Sequence, residues 1–327
     1  MLRNVVDSLL KLDYDNYLIY IVADNCDVST LHFEDERVIL LKPDQVLANN
    51  IKSHQYAIQR FRRSHDKVAI IDSDNLVDSR FIVEMNEVFA RGFEAVQGFR
   101  AAKNLNTDYA RLDAARDLFY HFYDGKLLFG VGSSATLAGS GMAFNTSLYV
   151  SCIADMVVQG AGFDKVLQAR IVASGRRIGF TDRAVIYDQK TTYRKQLVNQ
   201  RARWINSWFK YASLGFGLVW KGIKNTDVNQ GIFGLVLLRP PLFIFLILSV
   251  ICLIINVLTS QAGAFYWIVG LSIFLVSFFI ALVEHQAKSS IYRSLLKIPL
   301  FVFYQLVSLA NIRRLVRQSV ATKHDQK

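Results

Sequence analysis

Two long uncharged apolar runs near the C-terminus constrain this chain more than any other feature. Leu242 to Thr259 reads LFIFLILSVICLIINVLT, and residues 264–283 read AFYWIVGLSIFLVSFFIALV, with no charged residue in either run. A helix needs about 20 apolar residues to cross a bilayer, and about 17 is the lower limit. The sequence therefore predicts two membrane helices, joined by a tight hairpin at residues 260–263. The less favoured alternative is a pair of helices buried in a large soluble core.

The charges around these runs predict their orientation. Basic residues flank both outer ends of the hairpin, whereas its tip is uncharged: Lys221, Lys224 and Arg239 precede it, and Lys288, Arg293 and Lys297 follow it. The positive-inside rule then places residues 1–228 and the segment after the hairpin in the cytoplasm. A third run, 298–312, is shorter and contains Gln305 and Asn311. We expect residues 229–327 to form a multi-pass membrane region in the cytoplasmic (inner) membrane, with this third run as an interfacial helix rather than a third span.

Residues 1–228 alternate short apolar runs with charged stretches, which is typical of an α/β domain. Strands are expected at 17–23, 37–41, 67–71, 94–97 and 177–181, and helices at 45–63, 79–91 and 108–121. Short β-branched runs that end in Asp, Asn or Gly are typical of buried parallel strands. The pattern predicts a doubly wound sheet, which binds its ligands at the carboxyl ends of its strands.

The chain is basic, with 38 Lys and Arg against 27 Asp and Glu and a formal charge of +11. Such an excess suits nucleic acid, phosphorylated substrates or an anionic membrane surface. Many of the basic residues lie beside the membrane segments, which favours the membrane and argues against a nucleic-acid partner. The odd number of scattered cysteines, 3 in all, argues against a disulfide framework or a zinc cluster.

Acidic loops follow two of the predicted strands. Asp72 and Asp74 lie directly after the strand at 67–71, and Asp24 follows the strand at 17–23. If both strands end at one edge of a single sheet, these carboxylates face the same crevice. Carboxylate oxygens together with substrate phosphates are suitable ligands for hard divalent cations. The alternative is a solvated loop that caps a helix.

Three further patterns could carry chemistry. Gly139 and Gly141 in LAGSGMAF predict a tight turn before a strand and allow a close backbone approach to a ligand. Asp164 begins a predicted helix, as a cap or as a catalytic base. Gln200, Arg203 and Trp204 lie on one helical face, suited to phosphate and sugar rings or to anchoring at a membrane interface.

Taken in order, these residues resemble the family 2 glycosyltransferases, in the membrane-bound branch that contains cellulose, chitin and hyaluronan synthases. The segment ADNCDVST is similar to that family's ADNCTDxT, and IDSDN is similar to its DADN. AVQGFR, LAGSGMAF, GFDKVLQARIVASGRRIGF and QRARW follow in the family's order. The QxxRW pattern beside membrane helices is the most specific of these motifs.

The resemblance implies a GT-A nucleotide-diphosphosugar domain, with a Rossmann-like mixed sheet, on the cytoplasmic membrane face. It implies an inverting transfer of a sugar from a nucleotide-diphosphate donor, with UDP as the expected carrier. The acceptor would be a hydroxyl of a membrane-proximal saccharide or a lipid-linked acceptor, in cell-surface polysaccharide or glycolipid synthesis. Mg²⁺ or Mn²⁺ would be the cofactor, and partner subunits for export are a further implication.

The resemblance also implies a role for each matching residue. On the donor side, Asp24 would contact the base or ribose, Lys52 and Arg203 the diphosphate, and Asp72 and Asp74 the sugar nucleotide and its metal. Around the acceptor would lie Gly139, Ser140, Gly141, Gln200 and Trp204. Asp164 would be the catalytic base.

The chain departs from the family pattern at three places. Phe163 stands where the family has an acidic neighbour of the base, and the segment KSHQYAI after Ile51 lacks the family's glycine. The family's first strand has no counterpart before MLRNVV, so we expect an N-terminally truncated catalytic domain with weak or no activity. The alternative function is a catalytically impaired membrane subunit of a polysaccharide synthesis or export complex.

Overall fold

The computed structural model describes residues 1–29, 31–158 and 160–310. In chain order, the elements of the first part of the chain are α1 (Leu2–Leu9), β1 (Ile19–Val22), β2 (Val38–Leu41), α2 (Asn50–Ile58), β3 (Lys67–Ile70), β4 (Leu76–Val77), α3 (Phe81–Phe89), β5 (Ala95–Ala102), α4 (Asp108–Tyr120), a π-helix (His121–Leu127), α5 (Leu128–Gly130), β6 (Met142–Asn145), α6 (Thr146–Ile153), α7 (Phe163–Ala173) and β7 (Ile178–Asp188). Every predicted strand coincides with an observed one, although β5 and β7 extend further than predicted.

The central sheet is mixed. Its strand order is β3-β6-β5-β7-β4, in which β5 and β7 run parallel and the other neighbouring pairs run antiparallel. Helices cover both of its faces: one apolar cluster joins the sheet to α6 and α7, and a second joins it to α1 and α3. The expected α/β class with a mixed GT-A-like sheet is confirmed.

The expectation that the first and third predicted strands share one sheet is wrong. Strand β1 pairs in parallel with β2 in a separate two-stranded sheet, whereas β3 pairs with β6. Side chains connect the two sheets in place of ladder hydrogen bonds. The Tyr20 hydroxyl lies 3.0 Å from His65 Nε2 and accepts a hydrogen bond from the Arg62 N–H at 2.9 Å. The acidic loops after β1 and β3 therefore belong to different sheets.

Local capping explains why one predicted helix begins later in the structure. Helix α2 begins only at Asn50 because the Asn49 side chain accepts hydrogen bonds from the backbone N–H groups of Ile51 and Lys52. Helix α4 matches its prediction, but the chain then continues as a π-helix through Leu127. The predicted tight turn before a strand is confirmed, since Gly139 and Gly141 have φ values of 85° and 66° before β6.

Three helices lead from the α/β domain to the membrane segments: α8 (Arg194–Tyr211), α9 (Leu214–Asn225) and α10 (Val228–Leu238). Helices α9 and α10 form a hairpin in which glycines allow the backbones to approach closely. A Cβ atom on Gly215 would lie 2.5 Å from the Gly234 carbonyl oxygen, and one on Gly222 would lie 2.4 Å from the Gly231 nitrogen. No larger residue fits at these two positions without displacing the partner helix.

The remaining described helices are α11 (Leu242–Thr259), α12 (Gln261–Glu284), α13 (Ser289–Ser294), a short 3₁₀ turn (Leu295–Lys297) and α14 (Ile298–Ala310). Helix α11 has the predicted limits, but α12 begins three residues earlier than expected. The reason is a cap: Ser260 Oγ accepts a hydrogen bond from the Gly263 N–H at 3.2 Å, so Ser260 alone connects the two helices.

Three helical segments are long and apolar enough to cross a membrane. They are Leu242–Thr259, Gln261–Glu284 and Ser289–Ala310, with mean hydropathies of 2.9, 2.4 and 1.3. The third includes most of the run predicted to be interfacial, and its Phe301 packs with Leu112 and Leu197 of the α/β part. Its interfacial placement stays a prediction, and Asn311 and the residues after it lie outside the described part of the chain.

Candidate active site

The acidic loop after β3 is held by the glycine turn before β6. Ser140 is fully buried; its Oγ donates to Asn75 Oδ1 at 2.6 Å and accepts from the Asp72 N–H at 2.9 Å. Gly141 has no room for a side chain, because a Cβ atom would lie 2.8 Å from Ile186 Cδ1. Ser140, expected at the acceptor, therefore fixes the loop that carries Asp72 and Asp74.

The electrostatics of Asp72 show that several predicted site residues are close together. Although part of its side chain is exposed, the dense surrounding protein raises the pKa of the Asp72 carboxyl to about 7. Arg100 opposes this rise, whereas the negative charges of Asp74, Asp188 and Asp164 add to it. Asp164 thus lies within electrostatic range of the acidic loop.

Asp188, at the end of β7, links the acidic loop to a buried ion network. Its carboxylate accepts hydrogen bonds from Asn75 Nδ2 at 3.2 Å, Arg100 Nη2 at 2.7 Å and Lys190 Nζ at 2.9 Å. Burial opposes ionisation, but the Arg100 and Lys190 cations outweigh it and lower the pKa of the Asp188 carboxyl to about 2. Asp188 is therefore ionised at neutral pH.

The same network continues to Trp204. Lys190, whose side chain is 1% exposed, pairs with Asp117 as well as with Asp188, and Asp117 also pairs with Arg116. The Arg116 guanidinium lies 4.3 Å from the centre of the Trp204 ring, and that of Arg201 lies 4.4 Å from it. Trp204 therefore contacts two guanidinium groups, and each lies at a favourable cation–π distance.

Helix α8 also positions the loop that carries Asp164. Gly162 precedes α7 with a φ of 107°, and Asp164 is in the first turn of that helix. The Ser207 hydroxyl of α8 donates to the Ala161 carbonyl at 3.2 Å. Phe163 points into the core, with its ring centre 5.5 Å from that of His54. The residue that replaces the family's acid is thus a packing residue here, and Asp164 remains half-buried beside the cavity.

The two predicted donor residues nearest the N-terminus lie outside this cluster. Both carboxylate oxygens of Asp24 accept backbone hydrogen bonds, from Leu47 at 2.8 Å and from Ala48 at 2.7 Å. Lys52 is exposed on the first turns of α2, next to Asn49 and Asn50, which line the cavity. Asp24 thus orders the segment before α2.

One cavity of about 1230 Å³ extends from Asp164 and Arg203 to the apolar C-terminal helices, and Asp72 and Asp74 are not among its lining residues. Its polar part is lined by Arg100, Gly139, Asp164, Arg203 and Trp204. Its apolar part is lined by side chains of α11, α12 and α14, among them Leu246, Ile247, Phe274, Phe278 and Val302. Val250, Ile251 and Leu275 line the cavity and are each about half exposed. We therefore expect the apolar part to be open between α11 and α12.

Five buried donor atoms on cavity-lining residues have no hydrogen-bond partner within residues 1–29, 31–158 and 160–310: Arg100 Nε, Arg116 Nε, Gln168 Nε2, Arg201 Nε and Trp208 Nε1. Leaving a buried donor unpaired costs about 1–3 kcal/mol. All five groups are donors, so the polar walls of the cavity contain fewer acceptors than donors. Gln200 lies on α8 with Arg201 and Trp208, and its Oε1 is also buried and has no hydrogen-bond partner in the described part of the chain.

Sequence reasoning did not select several charged residues that build this site, namely Arg100, Arg116, Asp117, Asp188 and Lys190. Two signals were present. Arg100 ends the motif AVQGFR in a strand that is otherwise mostly apolar, whereas Asp188 is the last residue of β7 and Lys190 follows two residues later. A charge at the end of a buried strand needs a partner, and that need marks such residues as site candidates.

The structure offers carboxylates for a metal but no complete cage. Among the described residues, no group of three or more His, Cys, Asp or Glu side chains is arranged to hold a metal ion. Asp72 and Asp74 lie two residues apart on one loop, and the pKa of Asp72 is raised mainly by the surrounding protein and further by the neighbouring carboxylates. Two carboxylates of this kind fit a hard cation that takes its other ligands from water or a substrate phosphate.

Comparisons with known proteins agree with this fold. The structure is similar to that of a mannosyltransferase from Pyrobaculum calidifontis, PcManGT, solved in complex with GDP-Man and Mn²⁺: the identity is 12%, 90% of this chain and 82% of that chain are covered, and the TM-score is 0.52. A weaker similarity to S. aureus TarS 1-349 has 11% identity, covers 99% and 89% of the two chains and has a TM-score of 0.44. At these identities the similarity to PcManGT concerns the fold alone. No curated protein matches the chain significantly.

The sequence itself is more decisive than the structural neighbours. Residues 1–207, well over half of the chain, match the family described as "Glycosyltransferase like family 2". That range contains β1 to β7 and ends in α8, just after Gln200, Arg203 and Trp204. The chain belongs to glycosyltransferase family 2.

Proposed function

We propose that this chain is an inverting glycosyltransferase that moves a sugar from a nucleotide-diphosphate donor, with a UDP-sugar favoured, to a hydroxyl of a lipid-linked acceptor. The reaction would occur at the cytoplasmic face of the inner membrane, in the synthesis of a cell-surface polysaccharide or glycolipid. One observation carries the proposal: a single cavity joins Asp164 and Arg203 to the apolar walls of α11, α12 and α14.

The charge of the cavity supports a diphosphate donor. Cationic side chains outnumber carboxylates on its walls, with Arg100, Arg116, Lys165, Arg201, Arg203 and Arg239 against Asp117, Asp124 and Asp164. Guanidinium groups bind phosphate strongly because they can donate two parallel hydrogen bonds.

Asp72 and Asp74 would hold Mg²⁺ or Mn²⁺ with the donor diphosphate. The fit is chemical: both residues offer hard oxygen ligands, and Asn75 of the same loop donates a hydrogen bond to Asp188, which pairs with Arg100. When bound, the ion would neutralise negative charge on the departing diphosphate. PcManGT, a structural neighbour, was solved with Mn²⁺ and GDP-Man, which agrees with a divalent ion at this fold's donor site.

The protein's own residues would perform the transfer as one displacement. The acceptor oxygen forms a bond to the anomeric carbon while the bond from that carbon to the diphosphate oxygen breaks. Asp164 takes the proton from the acceptor hydroxyl, and Arg203 stabilises the charge on the leaving diphosphate. Trp204, held by Arg116 and Arg201, would present its ring to the acceptor sugar.

The apolar part of the cavity favours a lipid-linked acceptor over a growing polysaccharide. Sugar hydroxyls that pass between leucine, isoleucine and phenylalanine side chains would lose their hydrogen bonds to water without replacement. A hydrocarbon chain in the same space gains free energy by leaving water, at about 25 cal/mol per Å². On α11, the lining residues are all apolar: Leu242, Phe243, Leu246, Ile247, Val250 and Ile251.

The test is donor binding and sugar transfer by the full chain in nanodiscs, with a bacterial lipid extract as the acceptor source. Asp164→Asn should keep donor binding and reduce transfer by about 10²–10⁴-fold, since it removes a general base. The double variant Asp72→Asn, Asp74→Asn should lose Mn²⁺-dependent donor binding. Asp155→Asn is a matched control, because Asp155 is exposed, pairs with Arg170 and is not among the residues that line the cavity.

Two outcomes would contradict the proposal. Transfer that is equal in Asp164→Asn and in the unchanged chain would exclude Asp164 as the base. Donor binding without transfer to any lipid or saccharide would instead support the impaired-subunit alternative.

A further inference from the structure

Helix α9 carries an apolar stripe that faces away from the protein. Phe216, Trp220 and Ile223 are each 68% exposed. They are spaced i, i+4 and i+7, so they lie along one face of the helix. On the opposite face, Leu218 is buried in the main core beside residues of α7. The stripe is therefore a surface of three large side chains with no cover from the described part of this chain.

The packing of α9 keeps this stripe outward. Gly215 and Gly222 lie on the inner face, where their lack of a side chain lets α10 approach to within contact of the backbone. Rotating the helix to bury the stripe would drive Phe216 and Trp220 into that contact. Exposure of the stripe thus follows from the glycine pattern of the hairpin.

The charge around the stripe is of one sign. From Arg194 to Asn225 the chain has 7 basic residues and no Asp or Glu. Two of them, Lys221 and Lys224, are exposed on α9 next to Trp220 and Ile223. A row of apolar and aromatic side chains bordered by lysines is complementary to an anionic lipid surface, where apolar groups enter the acyl boundary and ammonium groups meet phosphates.

The position of the hairpin also points to the membrane. Helix α10 ends at Leu238, and after three residues α11 begins at Leu242 as the first candidate span. We propose that the α9 stripe inserts into the surface of an anionic bilayer beside that span. Because α9 packs on α7, this contact holds Asp164 at a fixed height above the lipid.

The experiment measures the depth of Ile223 in the bilayer. Ile223→Cys, in a Cys26→Ser, Cys252→Ser background, carries an environment-sensitive fluorophore, and the full chain is reconstituted with or without brominated phospholipids. Glu87→Cys is the control, because Glu87 is exposed on α3, which packs on β5 and β7. We expect blue-shifted emission and quenching by brominated lipid at 223, and neither effect at 87.

Two further arms test the parts of the proposal. Phe216→Ser with Trp220→Ser should abolish the quenching at 223 without loss of folding, since both side chains are exposed. Quenching should be stronger in bilayers that contain phosphatidylglycerol than in pure phosphatidylcholine. The double variant Lys221→Gln, Lys224→Gln should bind the anionic bilayer through the stripe roughly tenfold more weakly.

Each contrary result has a definite meaning. A label at 223 that stays in water, unquenched, overturns the proposal. If the emission at 223 is blue-shifted but depends on the fraction of chains that carry the label, and not on brominated lipid, the stripe contacts another copy of the chain. This result also overturns the proposal. Equal quenching in neutral and anionic bilayers overturns the role assigned to the lysines.

Discussion

Lys190 shows how much of this site depends on single buried charges. Its ammonium group is almost inaccessible to water and is balanced by the carboxylates of Asp117 and Asp188. Desolvating an ion costs several kcal/mol, so each member of such a group is stable only while its partners are present. The network is therefore sensitive to the loss of any one residue.

We expect Lys190→Met to lower the free energy of unfolding by about 3–5 kcal/mol, because it removes one of the two cations that pair with each of the buried carboxylates Asp117 and Asp188. Denaturant unfolding in detergent measures the change. Lys126→Met is the matched control: Lys126 also pairs with two carboxylates, Asp182 and Glu284, but all three are well exposed. Its loss should cost about 1 kcal/mol or less. Equal costs at both positions would contradict the importance given to burial.

The glycine turn offers a second test on single residues. Gly141→Ala should destabilise the protein and disturb the acidic loop, because its Cβ atom would meet Ile186 at 2.8 Å. Gly139→Ala is the control, since Gly139 has a similar positive φ but nothing within 4 Å of the added atom. Both variants share the backbone penalty of about 1–2 kcal/mol. Any further loss of unfolding free energy in Gly141→Ala would be due to the clash alone. The same holds for any weakening of Mn²⁺-dependent donor binding.

Among the elements, the π-helix that follows α4 has the clearest effect on electrostatics. It begins with His121, whose ring is buried against Phe99 and Phe180 and whose Nε2 accepts a hydrogen bond from the Arg100 N–H at 3.3 Å. Burial lowers the pKa of the His121 imidazole to about 3, although Asp117 opposes the shift. The neutral ring is therefore part of the folded structure.

The sign of the pH effect follows directly. The unfolded chain binds a proton at His121 below about pH 6.5, whereas the folded chain does not, so stability from this residue is lost as the pH falls. At pH 5 the loss should be about 2 kcal/mol relative to pH 7.5. His121→Gln keeps an acceptor but cannot be protonated. Between pH 7.5 and pH 5, the unfolding free energy of the variant should therefore rise by about 2 kcal/mol relative to that of the unchanged chain. A difference that stays constant with pH would show that His121 does not titrate in this range.

The elements also show what could be predicted from sequence. The limits of α11 are set by local properties, an uncharged run after two prolines, and the sequence predicts them correctly. The sequence predicts a strand after the glycine turn but not the position of β6 within the central sheet, because that position depends on pairing with β3 and β5. The separation of β1 from β3 has the same cause, since hydrogen-bond partners distant in sequence leave no local pattern.

The candidate site likewise contains some residues that the sequence identifies and others that only the structure shows. Asp72, Asp74, Asp164 and Arg203 have recognisable spacing within short motifs, and the structure places them around one region. Lys190 has no such pattern: nothing in its neighbours indicates that Asp117, 73 residues away, lies beside it. Only the three-dimensional arrangement shows that its charge is buried.

At the scale of the whole molecule, the cavity relates the catalytic domain to the membrane region. Leu246→Trp should fill part of the apolar half and reduce transfer to a lipid acceptor, while the KM for the donor stays unchanged, because Leu246 lies on α11, away from the donor carboxylates. Leu248→Trp is the control on the same helix, since Leu248 is exposed and is not among the lining residues. Equal activity of both variants, measured with several acceptor lipids, would argue against acceptor binding in this part of the cavity.

The expected opening between α11 and α12, at Val250, Ile251 and Leu275, has a consequence for enzyme kinetics. A substrate that arrives through this opening diffuses in two dimensions, so its effective concentration is a mole fraction in the bilayer rather than a quantity per litre. Adding inert phospholipid at constant amounts of enzyme and acceptor should then slow the reaction, whereas adding buffer should not. Saturation curves measured at different lipid concentrations would coincide only when they are plotted against the surface density of the acceptor.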